Sequence, residues 1–289
     1  MESQTQAASP ASTPPAQAVQ RFSFDGDGTE LFILVLKNVL LTLVTFGIYA
    51  AWAKTDRRRF LWRHTEIAGH RLSYWGTGGE LFRGYLVVMA TYALGILLIV
   101  LGQRLAPWAG VSAQLLFFLL IVLVVPLAIF RSRGYLLSRT GWRGLRFGLA
   151  RDQERHYVKT FLLGNLLTVV TLGFYAPYLK NRLASILTRA THFGTQPFDY
   201  DGDGHDLFRI YVKGILLSLL TLGVYSFWMR AEVTRYQLAH TTVQGARGRS
   251  TVTGGLLFQL ALLAIVGTTV SLGLAFPWIA TYSLKTLLA

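Results

Sequence analysis

The densest groups of side chains able to do chemistry are acidic. Asp25, Asp27 and Glu30 recur as Asp201, Asp203 and Asp206, joined by Asp199 and His205. Clustered carboxylates suit a hard cation such as Ca²⁺. Neither group, however, has the twelve-residue ligand spacing and final Glu of an EF-hand loop. The competing reading is a Gly-rich turn in which the Asp side chains bond the local backbone. Lys37 and Lys213 form a second pair, each the seventh residue of an apolar run, accompanied by the polar residues Asn38 and Asn165. Cations inside a membrane are costly and mark pathways or anion sites, whereas a long Lys stem can also snorkel to the interface. Asn side chains either line a polar cavity or bond between helices. His64 and His240 match in position but have no partner at zinc-ligand spacing, and their expected role is structural. No Ser/His/Asp set, phosphate loop or dinucleotide fingerprint occurs. No catalytic residue, metal or cofactor is expected, and the chain is not read as an enzyme.

The elements that position these residues are repetitive. Thr45-Phe46-Gly47-Ile48-Tyr49 is written again from Thr171, from Thr221 and, with Ala275 in place of Tyr, from Ser271. The last three copies are spaced by 50 residues, and the first two lie 126 apart, two steps of 50 plus 26. A fixed period of this size marks a repeat architecture. Leu-Phe or Tyr starts near 31, 81, 157, 207 and 257 give five units, the second expanded by 26 residues. Each reads as short strand, Gly turn, apolar helix, Thr-x-Gly-x-Tyr and basic helix.

The 289 residues are 52% hydrophobic, with mean hydropathy +0.42 and net charge +14. The apolar residues come in blocks of membrane-spanning length, and the basic residues flank them. This predicts a mainly α, polytopic membrane protein of five tandem repeats of apolar helix plus basic amphipathic helix, with short β-hairpin segments between repeats. Residues 1–20 read as a disordered tail and 21–289 as a single membrane domain. The expected partners are the bilayer and its anionic headgroups, met by Arg57, Arg58, Arg59, Arg63, Lys180, Arg182, Arg230 and Arg235. Nucleic acid is not expected, because the positive charge lies beside apolar blocks. The absence of cysteine excludes disulfides.

Two topologies compete. Each block of about 23 residues can form a full span, giving six spans and inverted repeats. Alternatively the chain turns back at Thr-x-Gly-x-Tyr, each repeat is a hairpin, and the strands share one side and one sheet. Only Phe82–Leu101 and Val111–Phe130 then form a full-length pair. Further strands are expected at 145–147 and 248–252, with Gly69 ending the first basic helix.

Leu41 to Arg59, Gly69-His70-Arg71-Leu72-Ser73-Tyr74 and Arg143-Gly144-Leu145-Arg146-Phe147 resemble the signature of the YjgN-like bacterial inner-membrane proteins. The resemblance extends over nearly all the chain after residue 21 and departs at Pro177 and in the reduced fourth motif. It implies a multi-pass inner-membrane location and carries no site residues, since the family's function is unknown. The expected function is that of a transporter- or channel-like protein for a small molecule or ion. The alternative is a membrane scaffold or lipid- and partner-binding protein.

Overall fold

The computed structural model describes residues 21–288. Ten α-helices and ten short strands occur among them. The helices come in pairs: α1 (Gly28–Val44) with α2 (Ala50–Arg63), α3 (Gly78–Leu105) with α4 (Pro107–Ser138), and α5 (Glu154–Val170) with α6 (Ala176–Ala190). α7 (Gly204–Leu220) with α8 (Ser226–Ala239) and α9 (Gly254–Val270) with α10 (Phe276–Leu288) complete the set. Three helix starts are set by side chains. The Asp27 carboxylate accepts from Thr29 N at 2.8 Å and Glu30 N at 3.0 Å, Thr77 and Glu80 form a capping box, and Thr253 caps α9. These bonds satisfy donors that a helix N-terminus leaves unpaired. The Asp-Gly-Asp-Gly segments therefore lead directly into helices rather than forming hairpin turns.

The strands make an antiparallel meander at one end of the helices. β1 (Phe22–Phe24), β2 (Thr65–Ile67) and β3 (His70–Arg71) form one sheet. β4 (Ser73–Tyr74), β5 (Thr140–Trp142), β6 (Leu145–Leu149), β7 (Thr191–Phe193), β8 (Gln196–Tyr200), β9 (Thr241–Val243) and β10 (Ala246–Arg247) form a second, paired in chain order. The expected single sheet is thus two, parted at Leu72. The strand expected at 248–252 is absent, because β10 ends at Arg247. Gly69 does not end α2, which stops at Arg63. Instead Ala68-Gly69, Arg143-Gly144 and Gln244-Gly245 are two-residue hairpin loops with positive φ at both positions, the backbone that matches the twist of tight hairpins.

Four of the six apolar blocks are not single helices but are interrupted, at 45–49, 171–175, 221–225 and 271–275, so six continuous spans are not formed. Only α3 and α4 are long and apolar enough to cross a bilayer; at about 1.5 Å per residue they measure roughly 42 and 48 Å, against about 25 Å for a 17-residue helix.

Each helix packs against the one before and the one after it, and α10 returns to α1, closing a ring. One joint recurs around it. Trp52 lies on Gly78 and 5.4 Å from the Phe82 ring; Tyr178 lies on Gly204 and 5.3 Å from Phe208. Trp228 lies on Gly254 and 6.0 Å from Phe258. Trp278 closes the ring on Gly28, 4.9 Å from Phe32. In each case the first residue of a helix is Gly because an aromatic ring occupies the place of a side chain. The closing joint alone has no strand hairpin across it. It is reinforced by Phe24, Leu31 and Phe60, packed with Ala280 and Leu284. A second buried cluster, Phe130, Tyr157 and Ile186, ties α4 to α5 and α6.

Candidate functional site

The first feature is the connection between paired helices. At 45–49 the Thr45 hydroxyl donates to Leu41 O at 2.7 Å and accepts from Tyr49 N at 3.0 Å. Phe46 takes a left-handed backbone (φ 49°) and Gly47 follows at φ 90°, which lets Gly47 N reach Thr42 O at 2.8 Å. This is a Schellman-like closure with the left-handed residue apolar rather than glycine. With the bonds of Thr45, Phe46, Ile48 and Ala50, every backbone N–H from 45 to 50 is paired. The same bonds recur at 171–176 and 271–276, with Thr171 and Ser271 as the hydroxyl groups. Thr221 splices 221–225 in the same way.

These polar-satisfied turns carry bare apolar tips. The left-handed residues Phe46, Leu172, Leu222 and Leu272 are 98%, 90%, 95% and 91% exposed. Val44, Val170, Leu220 and Val270 beside them are also exposed. An exposed apolar residue is ordinary when it stands alone; four clusters at four equivalent turns are more than scattered exposure.

The second feature is a set of acid–base contacts that join helix starts to helix ends and strands. Asp25 pairs with Arg71, and its counterpart Asp201 pairs with Arg247 at 2.6 Å and His240 at 2.7 Å. The hydrogen bond with His240, and then the charge of Arg247, hold the Asp201 carboxyl below its ordinary range. Asp27 caps α1, Asp199 pairs with Arg189 at 3.1 Å, and the backbone N of Asp203 donates to the Tyr236 hydroxyl at 2.7 Å. The acidic turns thus engage basic and backbone groups in two separate units, and no three His, Cys, Asp or Glu side chains converge among the described residues. His64 lies 3.4 Å from Glu30, which also pairs with Arg63 at 2.5 Å.

Lys37 and Lys213 are half-exposed and reach across their own hairpins, Lys37 to Asp56 at 3.4 Å and Lys213 to Glu232 at 3.6 Å. Asn38 is buried, and its Oδ1 has no hydrogen-bond partner among the described residues. Asn165 donates to Phe161 O at 2.7 Å. The four lie on three different helices and are not brought to one point. Of the basic residues, Arg58 donates to the Tyr74 hydroxyl at 3.0 Å, Arg59 to Gly76 O at 2.9 Å, and Lys180 to the Tyr211 hydroxyl. Arg57, Arg182, Arg230 and Arg235 are exposed, with no such partner among the described residues.

The third feature, not anticipated from the sequence, is a cavity of about 680 Å³. Its walls come from α4, α5, α6, α8 and the ends of β8 and β9, with none from α7, which lies between α6 and α8. Arg133, Asn165 and Lys180 provide polarity, and Phe161, Leu183, Leu187 and Leu238 provide apolar wall. Tyr200 at its edge is a neutral donor: burial pushes its phenol up to about 12, and it donates to Asn181 Oδ1 at 2.6 Å.

A helical ring with a strand meander at one end, two helices of membrane-crossing length and exposed apolar tips fits the membrane-protein class. The chain belongs to the DUF898 family, bacterial proteins of unknown function, whose model matches residues 19–203 and 195–249. It is similar to the inner membrane protein YjgN of Salmonella typhimurium, 30% identical over 211 residues, which cover 71% of this chain and 47% of that protein. YjgN of Escherichia coli K12 is 34% identical over 148 residues, 51% of this chain and 35% of that protein. The chain thus spans less than half the length of these relatives. Its location is the bacterial inner membrane. No solved structure gives a significant match.

Proposed function

We propose that the chain is a lipid-interacting membrane scaffold built of five units of about 50 residues, one crossing the bilayer and four entering a single leaflet from the strand side. The carrying observation is the exposure of the four apolar tips, and helix length supplies the depth this reading assigns them. From Lys37 to Thr45 is eight residues, or about 12 Å of helix, close to half of a hydrocarbon core roughly 30 Å thick. The Lys37–Asp56 and Lys213–Glu232 pairs then lie at the headgroup boundary, where ion pairs are tolerated, and Phe46, Leu172, Leu222 and Leu272 lie near mid-bilayer. Irregular backbone at such depth is viable only when its polar groups are bonded internally, and the Thr or Ser splice supplies those bonds. Exposed Arg57, Arg182, Arg230 and Arg235 would face the cytoplasmic leaflet and its anionic headgroups. The role is non-enzymatic, resting on partition and binding.

The test uses single cysteines in this cysteine-free chain. Spin labels at positions 46, 172, 222 and 272 should all report mid-bilayer depth. Cysteines at Ser23, Thr65, Ser138, Thr195 and Ser250 should stay protected from an impermeant thiol reagent until cells are opened. Water-accessible tips, or labelling of positions 23 and 195 from outside, would overturn the proposal.

The cavity beside the full-length helix α4 favours a second reading, a transporter- or channel-like protein for a small molecule or ion. Gradient-driven flux through the purified protein in sealed liposomes would support it; tight vesicles with tips at mid-depth would leave the scaffold reading in place.

A further inference from the structure

We propose that the chain is a wedge for one leaflet: it gathers where a bilayer is bent with the strand side convex, and favours that bend. The inference rests on the membrane reading above and adds an activity to it.

The asymmetry is a count of helices. Each of the five pairs is open at the strand end and closed by a turn at the other, so ten helices stand at the strand end. The eight helices of the short hairpins have 13–17 residues. That is about 20–26 Å of helix, less than a hydrocarbon core of roughly 30 Å. Only α3, with 28 residues, and α4, with 32, continue past the tips. Their far halves touch one another, Gly95 against Phe117 and Gly102 against Ala109. Leu97, Leu101, Leu115 and Leu119 of those far halves remain exposed.

Area follows from the count. With the tips near mid-bilayer, the strand-side leaflet holds ten helix sections and the far leaflet two. A helix with its side chains is about 10–12 Å across, so eight extra sections add roughly 600–900 Å² to one leaflet alone. The convex leaflet of a bend has the larger area, so curvature relieves such a mismatch. Shallow insertion of apolar helices is curvature-sensitive in the same way. The hairpins cannot disperse to dilute the effect, because the aromatic–glycine joints and the strand pairing hold them as one body. The extra area is therefore concentrated at one place.

The experiment reads sorting of the full chain onto membrane tubes drawn from giant vesicles, with each orientation followed separately. Thr195→Cys, on the strand side, and Arg104→Cys, at the far turn, each place one thiol in a cysteine-free chain. An impermeant dye then marks only the copies whose labelled end faces out. The outer leaflet of a tube is the convex one. Copies with strands outward should be enriched on the tube relative to the flat vesicle, and copies with strands inward depleted by the same factor. The logarithm of that factor should grow in proportion to the inverse tube radius. Leu222→Asp withdraws one hairpin, two of the eight extra helices, and should lower that logarithm by about a quarter; helical content checks its fold. Equal partition of both orientations, or a reversed sign, would overturn the wedge, and this comparison keeps all four hairpins intact. A folded Leu222→Asp chain that sorts like its parent would also overturn it, since the hairpins would then not be the source. Tip depths are read separately by the spin labels. Tips at mid-bilayer without sorting remove the wedge alone, whereas water-accessible tips remove the membrane reading itself.

Discussion

Four helix-initial glycines carry the ring, and replacing them with alanine should give costs that differ in a way the geometry dictates. None of the four has a left-handed backbone, so the cost is purely one of space. A Cβ at Gly204 would meet Tyr178 Cδ1 at 2.8 Å and Cε1 at 3.5 Å, a ring edge that can tilt. At Gly78 it would overlap the Trp52 indole, with Nε1 at 2.8 Å and no backbone atom among its closest neighbours. At Gly28 it would meet Trp278 Cγ at 2.8 Å and the backbone Cα at 3.0 Å. At Gly254 it would lie 2.5 Å from the Trp228 Cα, which no rotamer change can move. Overpacking of this kind costs about 1–3 kcal/mol; Gly204→Ala belongs at the bottom of that range and Gly254→Ala at or above the top. At roughly 2–4 °C per kcal/mol, Gly254→Ala should melt about 6–12 °C lower. The sharper test is the double mutant. With Trp52→Ala already present, Gly78→Ala should add almost nothing, because the overlapping atoms are gone. With Trp228→Ala present, Gly254→Ala should still destabilise, because the backbone remains. Thermal melts of the four singles and two double-mutant cycles in nanodiscs provide the numbers. Equal costs at Gly204 and Gly254, or full rescue of Gly254→Ala by Trp228→Ala, would refute the joint as described.

Other changes should report on the tips and the acid–base contacts. Thr171→Val leaves Tyr175 N–H without its acceptor and should cost about 1–3 kcal/mol, whereas Thr171→Ser should be mild, as Ser271 fills the same role; melting in lipid compares them. Leu222→Asp should destabilise by about 2.5–3.5 kcal/mol in nanodiscs if the tip lies near mid-bilayer, whereas a water-facing tip would make the change neutral. Asp201 has a depressed folded pKa, so its contribution is fully present above the ordinary aspartate value of about 3.9 and is lost as pH falls through the lower folded value. Asp201→Asn should therefore flatten the acid limb of the stability profile, and an unchanged limb would remove Asp201 from that role.

The helix breaks were legible because Thr-x-Gly-x-Tyr carries its own mechanism: a hydroxyl to bond the turn, a glycine to make it and an aromatic to pack after it. The full-length pair was legible because α3 and α4 are apolar over lengths that no other helix here reaches. The strands following the basic helices were missed because Thr65-Glu66-Ile67 and Thr241-Thr242-Val243 are too short to show alternation. Their signal was the x-Gly dipeptide after each, read at Gly69 as a helix stop. The joint was also visible in principle, since Trp52, Tyr178 and Trp228 each precede their glycine by 26 residues, but the Trp278–Gly28 closure depends on a contact between chain ends that spacing alone does not express. The cavity was illegible for a similar reason. Arg133 looks like one basic residue among several until the structure shows Arg131 and Arg139 matched and Arg133 not.

The tips and the ring depend on each other. A short hairpin whose far half is apolar has little with which to bury itself, and the buried clusters Phe24–Leu31–Phe60 and Phe130–Tyr157–Ile186 both lie toward the strand end. The tips contribute no comparable core, so the hairpins are held upright from their bases by strand pairing, by the aromatic–glycine joints and by pairs such as Asp201–Arg247. Four of the five junctions have a strand hairpin across them. The α10–α1 junction has no strand pairing across it and relies on side chains, the Trp278–Phe32 stack and the Phe24–Leu31–Phe60 cluster packed with Ala280 and Leu284. The long pair supplies what the short hairpins lack, apolar helices long enough to cross a bilayer, and it adjoins the cavity through Arg133.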